Sequence, residues 1–229
     1  MCIVTYFPTT DGFFFTSNRD EKRQRPTLEP AIYDHSTPLI YPKDLSHGGT
    51  WFAVDAKQKQ LFCLLNATGT QPNSAKKISR GQLPIKLLLD DETILSTSSL
   101  THIAPFQLIS VHFSETLKLE HLHWDGDTLE RTLMNQTRPH LWCSNTLYNA
   151  SKKQDLKKEF KHNLTKFNAW NDLINFHKDV AQPLNNNVFL KKDKGLQTVS
   201  ITSLSLQNKN QELYYDNLLE DTQHFKKAI

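Results

Sequence analysis

Apolar positions in this chain gather in short runs bounded by turn residues, which is the pattern of strands, and only two regions switch to helical spacing. Residues 3–7 and 13–15 flank Thr10-Asp11-Gly12 and predict an N-terminal hairpin, whose second strand runs on into Ser17-Asn18-Arg19-Asp20-Glu21. A polar, proline-punctuated stretch over 22–46 reads as a connection. Beyond it, residues 51–54 and 61–65 predict a second hairpin, turned at 55–60. Leu83, Leu87 and Leu88 mark a helix, and a weaker one follows Asp91 as far as Ser99. Residues 106–113, 117–124 and 129–134 predict a meander with Asp125-Gly126-Asp127 as its second turn. Over 151–179, Leu156, Phe160, Leu164 and Phe167 alternate with lysines at amphipathic helical spacing, broken near Asn163. Residues 198–206 and 212–215 are the final predicted strands.

Apolar side chains on both faces, as in Phe106-Gln107-Leu108-Ile109, predict sheets covered on both sides. Helices inserted between groups of strands predict a layered α+β sandwich rather than alternating βαβ units. No repeat or linker interrupts the pattern, and 229 residues fit one compact domain spanning 1–229.

Composition narrows the class further. With 38% hydrophobic and 22% charged residues the chain is neither disordered, collagen-like nor built to span a membrane. A net charge of +3, spread along the chain, leaves no nucleic-acid footprint. Cys2, Cys63 and Cys143 cannot all pair, and no CxxC or Cys/His finger spacing occurs, which points to a reducing compartment. The opening Met-Cys-Ile-Val-Thr-Tyr-Phe lacks the features of a signal peptide, so a cytoplasmic location is expected.

Cysteine directly after methionine is the chemically interesting feature. Aminopeptidases remove Met before a small residue, which leaves a thiol beside a free α-amine. That amine titrates near ~8, close enough to neutrality to accept the thiol proton, so nucleophile and base reside in one residue. Of the remaining candidates, His121 and His123 alternate on one strand face as metal ligands can. Spacing places no third ligand, so a solvated face is the reading adopted and no metal is expected. The lysine-rich helix around Lys152, Lys153, Lys157, Lys158 and Lys161 reads as a wet helix face.

Asn18-Arg19-Asp20-Glu21, shortly after an N-terminal Met-Cys, resembles the signature of the NRDE, or transport-and-Golgi-organisation, family. The resemblance continues in order through Arg25-Pro26, Gly48-Gly49-Thr50-Trp51, Leu65-Asn66, Arg80-Gly81, Phe106-Gln107-Leu108-Ile109, Ser144-Asn145-Thr146-Leu147 and the segment 195–201. The family is similar in turn to cysteine N-terminal-nucleophile (Ntn) hydrolases such as bile salt hydrolase and penicillin V acylase. That likeness implies a four-layer αββα sandwich with the nucleophile on a terminal strand. It implies that Cys2 attacks, Asp20 holds the α-amine, Asn66 donates to the oxyanion and Asn145 orients amine and substrate. Asn18, Arg19, Trp51 and Gln197 stand as substrate-binding candidates. Where family members carry Gly-Thr-Arg this chain has Gly195-Leu196-Gln197-Thr198, and a glutamine cannot supply the missing charge.

Two functions follow from the resemblance. One is hydrolysis of an amide or other acyl bond, with no cofactor required. The other is non-catalytic binding or trafficking of haem or lipid on the same fold, with Cys2 or one of ten histidines as a conceivable haem ligand. The substrate and the oligomeric state are not legible.

Overall fold

The computed structural model describes residues 3–34, 36–72, 77–181, 195–220 and 224–229. In chain order its strands are β1 (Ile3–Thr9), β2 (Gly12–Lys22), β3 (Thr27–Ala31), β4 (Leu39–Asp44), β5 (Phe52–Asp55), β6 (Gln60–Asn66), β7 (Phe106–Phe113), β8 (Leu117–Trp124), β9 (Leu129–Met134), β10 (His140–Cys143), β11 (Leu196–Gln207), β12 (Asn210–Asn217) and β13 (His224–Ala228). Its α-helices are α1 (Leu83–Leu88), α2 (Thr97–Leu100), α3 (Ala150–Asn163) and α4 (Trp170–Ala181). The class is α+β, with antiparallel strand pairing in both sheets.

The chain divides into two compact units, Met1–Gln24 with Thr137–Ile229, and Arg25–Gln136. In sequence, the second is an insertion within the first. The first unit holds a six-stranded sheet in the order β10-β1-β2-β11-β12-β13. On its central strands, Phe13 and Phe15 point one way and Phe14 the other, and all three are buried, so neither face meets water. One face carries α3 and α4, whose Leu156, Phe160, Trp170, Leu173, Ile174 and Val180 pack with Ile3, Phe14, Ile201 and Tyr214. Each such side chain contributes about 1.5–3 kcal/mol on burial. Helix α3 starts where the Asn149 side chain accepts the Lys152 N–H at 2.9 Å. Helix α4 starts where the Asp172 carboxylate accepts the N–H groups of Asn168 and Ala169 at 2.9 and 2.8 Å.

The inserted unit holds a seven-stranded sheet in plain sequence order, β3 to β9, with α1 packed on β5 and β6. The stretch over 22–46, expected as a connection, contains β3 and β4. Strand β3 is an edge: it carries Pro30, its residues are half or fully exposed, and its register breaks between Leu28 and Ala31. Such a strand needs no apolar alternation, so the pattern did not announce it. Strands β10 and β13 were also unanticipated, the first for its four-residue length and the second because it is a lysine-bearing edge.

Candidate functional site

The far end of β2 carries three of the residues singled out in the sequence, Asn18, Arg19 and Asp20. Ile3, at the start of β1, pairs with Asn18 on one side and with Cys143 of β10 on the other. Met1 and the expected nucleophile Cys2 lie outside the described residues. Asn18, Arg19 and Asp20 are 1%, 3% and 3% exposed, so this polar tripeptide is interior rather than a surface turn. Burial of that kind requires partners. Two of those of Asp20 are hydroxyls: Thr198 Oγ1 donates to Oδ1 at 2.5 Å and the Tyr148 hydroxyl donates to Oδ2 at 3.2 Å. The ladder makes the first contact possible, because β11 shifts register between Thr198 and Ser200 and so sets Thr198 opposite Asp20.

Asn18 is tied to a residue that sequence reasoning missed. Its Nδ2 donates to the His177 carbonyl at 3.1 Å, while its Oδ1 lies 2.6 Å from His177 Nδ1. A carboxamide oxygen only accepts, so Nδ1 carries the imidazole hydrogen and Nε2 accepts from Thr5 Oγ1 at 2.8 Å. His177 is fully buried, and burial lowers its pKa to about 3, so the ring is neutral. The resulting lock joins α4 to β1 and β2. The only sequence signal for it is a histidine inside the apolar stripe of α4.

Past β10, Asn145 is half-buried, and its Oδ1 accepts a hydrogen bond from Lys153 Nζ in the first turn of α3. Cys143, whose backbone pairs with Ile3, is a buried thiol outside any disulfide among the described residues. Burial pushes its pKa up to about 12, against a smaller opposing pull from Lys153 and Lys157. Lys153 in turn is lowered by its own burial. Lys153 is therefore more than a wet helix face. Gln197 is exposed and pairs with Glu21 in the ladder, outside the buried cluster of Asn18 and Asp20.

Trp51 and Asn66 belong to the inserted unit. Phe52 pairs with Cys63, which sets Trp51 level with Leu64, two residues from Asn66 and on the same face. Trp51 is buried, and its carbonyl accepts the Leu64 N–H at 2.8 Å. Other family-like blocks of this unit are architectural. A Cβ on Gly49 would lie 2.6 Å from the Gly81 carbonyl, and Thr50 N–H donates to that carbonyl at 2.8 Å, so these two motifs meet backbone to backbone. Arg25 pairs with Asp44 at 2.7 Å and Arg80 donates to the Pro105 carbonyl at 2.8 Å.

On β8, His121 and His123 are half-buried with their rings stacked, not the solvated pair expected. Packing against β7, where Gln107 reaches His121, takes them out of water. Burial, with His123 adding to it, lowers the His121 pKa to about 4. Among the described residues no group of three or more His, Cys, Asp or Glu is arranged to hold a metal ion. Among them, too, no helix is long and apolar enough to cross a membrane, a statement that leaves strands aside.

These features define a mixed α+β protein of two antiparallel sheets, with a buried Asn-Arg-Asp strand end beside the start of β1. The chain belongs to the Transport and Golgi organisation 2 (TANGO2) family, whose model matches residues 1–220. No curated protein matches it significantly.

Proposed function

We propose that the chain is a cysteine-dependent Ntn hydrolase, acting on an amide or other acyl bond within a four-layer αββα domain spanning 1–229. The observation that carries this reading is the buried Asp20 carboxylate, oriented by two hydroxyls on the strand that pairs with β1. With Met1 removed, the Cys2 thiol attacks the acyl carbon and its α-amine takes the thiol proton, then hands it to the departing amine. Water cleaves the acyl thioester by the reverse transfer. Asp20 holds the amine. Asn66 and Asn145 stabilise the oxyanion; with Oδ1 of Asn145 accepting from Lys153, Nδ2 is the donor this amide offers. Asn18, Arg19 and Trp51 shape the substrate site. Gln197 is the weakest of the assigned residues, because it is exposed, and Lys153 supports the reading by supplying a cation within the unit that contains Asn145. Cys63 and Cys143, both buried and outside any disulfide among the described residues, fit a reducing, cytoplasmic setting.

The test is mass spectrometry of protein starting at Cys2, mixed with a panel of phenoxyacetyl and fatty-acyl amides. The expected result is amine release with a transient acyl adduct on Cys2, both lost in Cys2→Ala. Turnover that survives Cys2→Ala would refute the reading. A haem Soret shift in Cys2→Ala protein, without any turnover by the parent, would favour the binding alternative.

A further inference from the structure

His121 and His123 lie two apart on β8, so the strand period puts both imidazoles on one face. Their ring centroids are 6.3 Å apart and the planes 10° from parallel. Gln107 stands level with His123 in the ladder, is 6% exposed, and sets its Oε1 3.2 Å from His121 Nε2. Because that oxygen only accepts, Nε2 of His121 carries the hydrogen and Nδ1 keeps a lone pair. Nε2 of His123 is buried and has no hydrogen-bond partner among the described residues. A buried polar atom left so is costly, and an added ligand would recover that cost.

We propose that His121 and His123 form a two-imidazole chelate for a first-row divalent transition ion of the Zn2+ or Cu2+ type, with Gln107 holding the His121 ring. Imidazole is the donor these ions prefer among neutral side chains, and an orienting hydrogen bond on the second ring nitrogen is the usual companion of a metal-bound histidine. Metal–nitrogen bonds of about 2.0–2.1 Å in tetrahedral geometry bring two rings to centroids ~5 Å apart. The pair must therefore close by about 1 Å and the rings must turn so that their in-plane lone pairs converge on one point, through χ1 and χ2 rotations. Water or an exogenous donor completes the coordination. Asp125, just past the end of β8 and two residues beyond His123, is not counted as a ligand because its Oδ1 already accepts the Asp127 and Thr128 N–H groups at 2.8 Å each. Glu130, opposite His123 in the ladder, adds negative charge beside the site. The inference is independent of hydrolysis and of Cys2.

The experiment is titration of the full chain with Cu2+, accessible thiols first alkylated with iodoacetamide, followed by calorimetry and electron paramagnetic resonance. The parent is expected to bind one ion per chain with superhyperfine coupling to two nitrogens. His121→Gln and His123→Asn are each expected to weaken binding at least tenfold and to remove one nitrogen from the coupling pattern. The second variant disturbs the fold least, since the lost Nε2 hydrogen-bonds to no described residue, and it carries the test if the first does not fold. Unchanged affinity in folded His123→Asn, or no saturable binding by the parent, would overturn the assignment.

Discussion

At the scale of single residues, the site is defined by which polar groups are buried and what holds them. Asp20→Asn keeps the size of the side chain and removes its charge. If Asp20 holds the amine, acylation of Cys2 should slow by about 10²-fold while stability changes little, read as single-turnover rate beside a thermal melt. Asp20→Ala removes the acceptor of two buried hydroxyls and is expected to cost about 1–3 kcal/mol by urea unfolding. The thiols should divide sharply. Cys143 is held protonated by burial and Cys63 is fully buried, so iodoacetamide at neutral pH should leave both unmodified in folded protein, as peptide mapping would show. His177 makes the fold acid-sensitive. Its folded pKa of about 3 lies below the ordinary 6.5, so the unfolded chain binds the proton first. Stability is thus complete above pH 6.5 and falls as pH drops toward 3, by up to about 1.4 kcal/mol per unit. His121, lowered to about 4, acts in the same direction. Urea midpoints at pH 5 and 7 should converge in His177→Gln relative to the parent.

At the scale of elements, patterning was most informative where strands are central and regular. The meander β7, β8 and β9 matches its expected bounds because Phe106, Leu108 and Ile109 are buried and tight turns separate the strands. The break near Asn163 is where α3 gives way to a 3-10 turn. Strands β3 and β13 were hidden because an edge pairs on one side only and tolerates Pro30 or the Lys226-Lys227 pair without any alternation. In the site, Asn18, Arg19 and Asp20 could be read from the chain, but their partners Thr198, Tyr148 and His177 could not. Those contacts span more than a hundred residues of sequence and depend on a register shift that no local pattern encodes. The meeting of Gly49 with Gly81 gives a prediction at this scale. Gly49→Ala forces its Cβ to 2.6 Å from backbone atoms and should cost about 2 kcal/mol or more, whereas Gly81→Ala, with its nearest atom at 3.2 Å, should cost less. Urea unfolding of the two variants would rank them.

At the scale of the whole molecule, one sheet is assembled from both ends of the chain and the other from a contiguous insertion. In the first, β2 and β11 are central, buried on both faces and paired along eleven register positions, so their amides should exchange with solvent most slowly in that unit. On its other side β2 pairs with β1, which sets the buried polar end of β2 beside the start of β1, and it is there that the proposed chemistry requires a free cysteine terminus. The most direct measurement is the intact mass of the protein expressed untagged from Met1. Loss of one methionine is the expected result, since only then does Cys2 present the amine that serves as its base. Retention of Met1 in essentially all molecules would contradict the hydrolase mechanism and leave haem or lipid binding as the function to pursue.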